Sequence, residues 1–539
     1  MPARFPYCLI GALWRRMWVS SLSSRIPALF LLVVLVLPLP LSALFSGNTG
    51  LDTTSIHQYG LAEDPLFKRG PTVNMVTNHS ALIFWRTDVM TNATVHYGLN
   101  GSVIETAENS TLDTDHRMTL EGLEINSKYY YKVESNGTES ELYHFKTAPA
   151  DGEQFTMMII GDNRPHSVIG EQPEAYKQLV QMIAAEEPHI IIHSGDCVLE
   201  VSEDHESNLY AWEAFTNETD KMGHYAPIYA AVGNHDAGAK TGTLRLEYFF
   251  DAFEQYDEPS TYYSFDYAGV HFTFLDTEEL GYEGRIVGDQ YDWLVNDLES
   301  TDSEMKFVVA HRPMYPLSHV GDSLDSVPAE RTALQQLFET HNVSLFVCGH
   351  DHLYNRITVN GVVNLISGGG GGPLYGTPWG GDFHHFVRTE VSSSLVNMSA
   401  IKLDGSTADN HQLPYEGPIE IFLRVVANTS TRGVGTTPEI YFSEVPAEKY
   451  YCWDSGENQT ELTGLPNENG LHTLEVFARN SEDVWSSVRY VFTAVGATSS
   501  STTPTGTGGG IDPLLMFGSL GMAGVVVVVL VVFWLRRRA

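Results

Sequence analysis

Five apolar runs in the middle of this 539-residue chain stop at residues able to hold a cation. Residues 155–160 run into Gly161-Asp162-Asn163-Arg164, and 190–193 into Ser194-Gly195-Asp196. Residues 228–232 run into Gly233-Asn234-His235-Asp236, 307–310 into His311-Arg312-Pro313, and 343–347 into Cys348-Gly349-His350-Asp351-His352. Between them, 175–186, 289–298 and 329–341 carry helical spacing. Strands alternating with helices build an α/β sheet whose sites form beyond the carboxyl ends of the strands. Carboxylate, carboxamide and imidazole gathered at one such edge suit a pair of metal ions. Each fragment alone is an ordinary turn, so the order of all five carries the argument.

That set resembles the calcineurin-like metallophosphoesterase superfamily, in particular its purple-acid-phosphatase-like branch, over residues 155–401. The resemblance implies an αββα sandwich spanning 153–405. It implies that Asp196 bridges two metals, with Asp162 and His352 on the first and Asn234, His311 and His350 on the second. Iron, manganese or zinc would suit such donors. The implied reaction is hydrolysis of a small phosphoester, a phosphomonoester by preference, through attack of metal-bound hydroxide. Phosphodiesters or nucleotides on the same site are an alternative, as is a catalytically impaired surface adhesion or binding protein. His235 would stabilise or protonate the leaving oxygen, with Asp236 orienting its ring.

Two positions depart from the family pattern. Arg164 stands where most of the superfamily has a histidine, and Leu199 where purple acid phosphatases have a tyrosine. The first metal is left with Asp162, Asp196 and His352, and no purple charge-transfer colour is expected. His166 is a candidate to complete the set, and Arg164 a candidate to bind a phosphate oxygen or to balance the aspartates.

On either side of this region the pattern is all-β. Residues 67–149 alternate in short runs, and Ala81-Leu82-Ile83-Phe84-Trp85 with Tyr129-Tyr130-Tyr131 resembles the fibronectin-III-like domain of purple acid phosphatases. Residues 414–496 resemble an Ig-like sandwich without candidate ligands, read as a spacer or adhesion module. The fold class is therefore multidomain: an α/β sandwich flanked by two all-β sandwiches. The glycine run 368–372 lacks the ending of a phosphate-binding P-loop and is expected as a mobile loop at the rim of the site. His384-His385 is expected as ordinary strand histidines.

Both ends point to a membrane. Residues 1–46 carry four arginines before an apolar stretch and read as a signal peptide or signal anchor. Residues 497–512 form a Thr/Ser/Gly stalk, and 514–535 are apolar over the length of a transmembrane helix, followed by Arg536, Arg537 and Arg538. The positive-inside rule puts those arginines in the cytoplasm and the catalytic region outside the cell. Between the ends, 24 Lys+Arg face 67 Asp+Glu, a net charge of −43 that excludes nucleic acid as an expected partner. Ten Asn-x-Ser/Thr sequons fit a glycosylated, exported surface. Cysteine is too sparse for a disulfide framework, with a Cys197–Cys348 bridge as the one pairing considered.

Overall fold

A computed structural model of the chain describes residues 64–166, 171–199, 204–238, 245–254, 260–377, 380–414, 417–424, 431–433 and 437–495. The expected signal segment, stalk and transmembrane helix lie outside the described residues. Among the described residues no helix is long and apolar enough to cross a membrane.

The N-terminal domain is one all-β unit of β1 (Phe67–Asn74), β2 (Ser80–Leu99), β3 (Glu105–Glu121), β4 (Lys128–Ser135), β5 (Thr138–Glu139) and β6 (Tyr143–Lys146). β2 pairs with β3 from end to end, with β1 near residues 82–87, and with β4 at 94–99. A register break between Arg86 and Ala93 lets this single strand serve both halves of the domain. Trp85, Val95, Tyr131 and Phe145 fill the core. The domain docks on its neighbour through Arg69, Arg86 and Arg117, which lie over the Phe84 ring. Arg86 reaches Asp251 at 2.8 Å, and Arg117 reaches Glu254 at 2.7 Å.

The central domain contains β7 (Phe155–Ile160), β8 (Ile190–His193), β9 (Ile228–Ala230), β10 (Tyr263–Tyr267), β11 (Val270–Phe274), β12 (Met305–Val309), β13 (Val343–Cys348), β14 (Tyr354–Val359), β15 (Val362–Ser367), β16 (His385–Val391), β17 (Val396–Lys402) and β18 (Thr407–Leu413). Its helices are α1 (Glu174–Ala185), α2 (His205–Gly223), α3 (Asn234–Ala237), α4 (Glu247–Ala252), α5 (Gly288–Ser300) and α6 (Pro328–Thr340). Two six-stranded sheets result, ordered β18-β17-β16-β7-β8-β9 and β10-β11-β12-β13-β15-β14. The first sheet therefore continues through residue 413, beyond the expected boundary at 405.

Strand alternation explains the layering. Met157, Ile159, Ile190 and Ile192 meet Phe272, Phe307, Val309 and Val347 between the sheets. Met158, Ile160 and Ile191 face outward under α1 and α2, while Val308 and Phe346 pack under α5 and α6. Both faces of these strands are covered, which is why their sequences read as unbroken apolar runs. The expected αββα sandwich is present.

β19 (Ile421–Leu423) and β21 (Ile440–Phe442) form a two-stranded sheet. β20 (Thr431–Gly433), β22 (Glu448–Trp453), β23 (Gly470–Arg479) and β24 (Trp485–Val495) form a four-stranded one. This module is docked on the central domain. Asn360 and Gly361 donate backbone N–H groups to Phe442 and Ser443, Arg424 pairs with the buried Asp325, and Tyr315 meets Tyr441 edge-on at 4.8 Å.

Candidate dinuclear metal site

β7, β8 and β9 run parallel in one sheet, and β11, β12, β13 and β15 in the other. Their carboxyl ends open on the same edge, so five loops far apart in sequence meet there. Asp162, Asp196 and His352 place ligand atoms within 4.8 Å of one another, and all three side chains are buried. Beside them, His311 Nε2 lies 3.3 Å from Asp196 Oδ1 and 3.1 Å from Asn234 Oδ1, with the His350 ring 5.1 Å from that of His311. The six expected ligands thus come together in two overlapping groups that share Asp196.

The backbone is bent to achieve this. Asp162 (φ 58°), Asp196 (φ 58°) and His350 (φ 68°) all occupy the left-handed region, costing about 1 kcal/mol or more each for a side-chain-bearing residue. Two glycines make the loops' approach possible. A Cβ at Gly349 would collide with the Asp162 carboxylate, and one at Gly195 (φ +96°) would press on the His311 ring at 2.9 Å.

The donor chemistry fits a pair of cations. His311 Nδ1 donates to the Ser194 carbonyl at 2.8 Å and His352 Nδ1 to the Pro373 carbonyl at 2.7 Å, which turns the Nε2 of each ring to the site. His350 Nε2 is buried without a hydrogen-bond partner. Burial holds His350 and His352 neutral, His352 down to about 3, with His311 adding to the first and Arg164 to the second. Burial also lifts Asp162, and Asp196 beside it adds to the rise. For Asp196 burial is outweighed by His311, His235 and Arg164, which hold it below the usual carboxylate range. Lone pairs facing one another across 3–4 Å repel unless positive charge lies between them.

A cavity of about 440 Å³ opens over this centre, lined by Arg164, Asp196, Asn234, His235, His350 and His352, together with Glu283, Arg312, His319, Asp322 and Tyr375. His235 Nε2 is 3.8 Å from Asp196 Oδ2, and Arg164 Nε is 3.4 Å from the same oxygen. Arg164 therefore balances an aspartate and also lines the cavity.

Four expectations change. The Asp236 carboxylate does not orient the His235 ring; it accepts the backbone N–H groups of Asp196 and Cys197 at 2.8 Å and of Gly233 at 3.0 Å, tying two ligand loops together. His166 is exposed and does not line the cavity. The glycine run is no rim loop: residues 368–372 are buried, with Gly370 and Gly372 donating to the carbonyls of Gly161 and Asp162. Cys197 and Cys348 are separate free thiols, both buried. His385 is a buried strand histidine, bonded to Ser367 Oγ at 3.2 Å.

Glu283, Arg312, His319, Asp322 and Tyr375 line the cavity without having been legible in the sequence. Asp351, between the two ligand histidines, turns away and accepts from the backbone of Leu317, Ser318 and His319 and from His319 Nδ1, fixing that loop. His319 thereby lies 4.2 Å from the His350 ring. Tyr375 stacks on His352 at 4.3 Å and accepts from Arg164 at 2.9 Å. Arg312 donates both to Glu278, at 2.7 Å twice, and to Asp322, so it braces the wall.

A sandwich of two mixed sheets, with two carboxylates, a carboxamide and three histidines beyond the ends of their parallel strands, defines a dinuclear metallophosphoesterase fold. Comparison with known proteins agrees. The calcineurin-like phosphoesterase family matches residues 155–354, and the purple acid phosphatase N-terminal domain matches residues 69–147. The chain carries a calcineurin-like metallophosphoesterase domain joined to a purple acid phosphatase N-terminal domain.

Acid phosphatase type 7 of Danio rerio is 24% identical over 316 residues, and the Arabidopsis thaliana protein named probable inactive purple acid phosphatase 1 is 24% identical over 306. The first alignment covers 52% of this chain and 68% of the relative, the second 48% and 49%. Purple acid phosphatase 21 of Arabidopsis thaliana is 26% identical, over 45% of this chain and 53% of its own length. The chain spans about half the length of these plant relatives. Among solved structures, a purple acid phosphatase from yellow lupin (Lupinus luteus) seeds shares the fold with a TM-score of 0.50 and 21% identity, covering 65% of this chain and 74% of that one. PhoD does so with 0.51 and 14%, covering 64% and 89%.

Proposed function

We propose that this chain is a cell-surface phosphomonoesterase using two metal ions of the iron, manganese or zinc type. The observation that carries the reading is the convergence of Asp162, Asp196 and His352 within 4.8 Å, beside Asn234, His311 and His350, on the floor of a 440 Å³ cavity. Two cations held there would acidify a water and neutralise phosphoryl charge. The chain's own residues supply the rest. Arg164 presents a guanidinium to a phosphoryl oxygen. His235 and His319 flank the cavity with ring nitrogens able to give a proton to the departing alkoxide. Asp351 orients His319, while Asp236 keeps the Asp196 and Asn234 loops in register.

The purple acid phosphatase N-terminal domain supports the monoester over the diester. Placement at the cell surface is supported by the apolar segment 514–535 and the arginines after it. A second reading, a binding protein without turnover, is favoured by the short ligand set of the first metal, with Arg164 and Leu199 at family ligand positions, and by relatives named inactive.

The test is to strip the full chain with chelator, resupply manganese, zinc or iron, and assay a chromogenic phosphomonoester and a chromogenic phosphodiester in parallel. Metal-dependent turnover, faster on the monoester and lost in His235→Ala, is the expected result. Folded protein that turns over neither ester with any metal would leave the binding-protein reading.

A further inference from the structure

We infer that Tyr375 is a substrate-positioning residue which, with Arg164, selects phosphomonoesters over phosphodiesters. This rests on the phosphoesterase reading of the site. Tyr375 lies 211 positions from Arg164 in sequence, yet the two side chains meet at 2.9 Å, with Arg164 Nη2 donating to the phenol oxygen. That bond uses the oxygen as acceptor, so the phenol proton remains to be donated. Among the described residues no acceptor takes it, and the residue lines the cavity.

The ring is held from two sides. It stacks on His352 at 4.3 Å with planes 21° apart, and it meets His319 nearly edge-on at 5.2 Å. Its backbone N–H donates to the His352 carbonyl at 3.0 Å. A side chain fixed this firmly beside a ligand histidine aims its hydroxyl without losing rotamer freedom on binding. Arg164 is fixed likewise, between Tyr375 and Asp196.

Arg164 and Tyr375 therefore form a two-donor pair on one wall. The other cavity arginine, Arg312, is already engaged by Glu278 and Asp322. A phosphomonoester dianion brings three non-bridging oxygens and two negative charges, whereas a diester brings two oxygens and one charge. Donors beyond the metal ligands have more to bind on the monoester. Tyr375→Phe removes the hydroxyl and keeps the ring on His352.

The experiment compares wild type, Tyr375→Phe, Arg164→Gln and the double variant as metal-loaded full chains. Inorganic phosphate affinity is read by calorimetry, and both chromogenic esters are assayed. Tyr375→Phe is expected to weaken phosphate binding and raise the monoester KM about 10-fold, the size of one hydrogen bond to a charged group. Diester kcat/KM should change less than 2-fold, and the double variant should lose less than the product of the singles. Phosphate affinity unchanged in Tyr375→Phe, or equal losses on both esters, would overturn the inference. If wild type hydrolyses neither ester, the phosphoesterase reading fails, and the phosphate affinities still decide whether the pair binds a phosphoryl group.

Discussion

The Asp351 carboxylate, buried between two ligand histidines, receives the Nδ1 of His319 at 2.8 Å and the backbone N–H of the same residue at 3.0 Å. The acid between His350 and His352 is thus turned away from the candidate metal site to hold a second histidine over the cavity. His319→Ala is expected to lower kcat about 10²-fold with metal content intact, as for loss of a proton donor. Asp351→Asn should lose a smaller share of activity, because the amide still accepts from the loop backbone. Steady-state kinetics alongside elemental analysis reads both.

Asp236 predicts the opposite pattern. Its two oxygens receive four backbone N–H groups from the Asp196 and Asn234 loops. Asp236→Ala leaves those donors buried and unpaired, at about 1–3 kcal/mol each before relaxation. The variant should melt lower and lose metal, whereas His235→Ala should lose turnover with melting temperature and metal content unchanged. If Asp236→Ala keeps wild-type stability and metal, the backbone role is wrong.

Acid stability follows from buried histidines. Burial takes His385 down to about 4 from an ordinary 6.5, so the unfolded chain binds a proton that the folded chain refuses. Stability should fall as pH drops from 6.5 toward 4, by up to about 3 kcal/mol from this ring. His271 works the other way. Burial opposes its charge, but Asp297 and Asp266 at 3.1 and 2.8 Å outweigh it and raise its pKa. Its contribution is present below about pH 6.5 and is lost as pH rises through the raised folded value. Denaturant unfolding at several pH values should show a flatter acid limb in His385→Gln and a flatter neutral limb in His271→Gln.

The C-terminal module should matter to the site. Arg424 pairs with Asp325, whose side chain is 2% exposed and whose carboxylate receives the Gly321 N–H at 3.0 Å. Arg424→Ala strands that carboxylate and should cost about 3–5 kcal/mol. The loop it frees includes Asp322, which braces Arg312, so the monoester KM should rise as well. A free spacer domain would show neither effect.

The candidate ligand set is legible because each of its residues sits at the end of a strand whose apolar run is visible locally. What the chain did not reveal depends on approach in space. Tyr375 reaches Arg164 across 211 positions, and Asp351 reaches the Ser318–His319 backbone across more than 30. Asp236 was misread because its sequence neighbour is His235, while its carboxylate faces a loop 40 residues away. α2 carried no clean apolar stripe, since Asn208, Thr216, Thr219 and Asp220 share its buried face. The length of β2 is hidden in the sequence because residues 88–90, polar-led and exposed, interrupt its alternation. The glycines at 368–372 looked like a loop, yet they are small because Gly161, Asp162, Tyr176 and His352 press against them.

The edge formed by the two sheets is expected to hold two metal ions. The most direct measurement is the metal stoichiometry of the folded full chain, by elemental analysis after loading and desalting, in wild type, Asp196→Ala and His311→Ala. Two ions per chain are expected in wild type, about one in His311→Ala, and fewer than one in Asp196→Ala, which removes the shared carboxylate. A folded wild-type chain retaining no metal, or an Asp196→Ala chain retaining two, would contradict it.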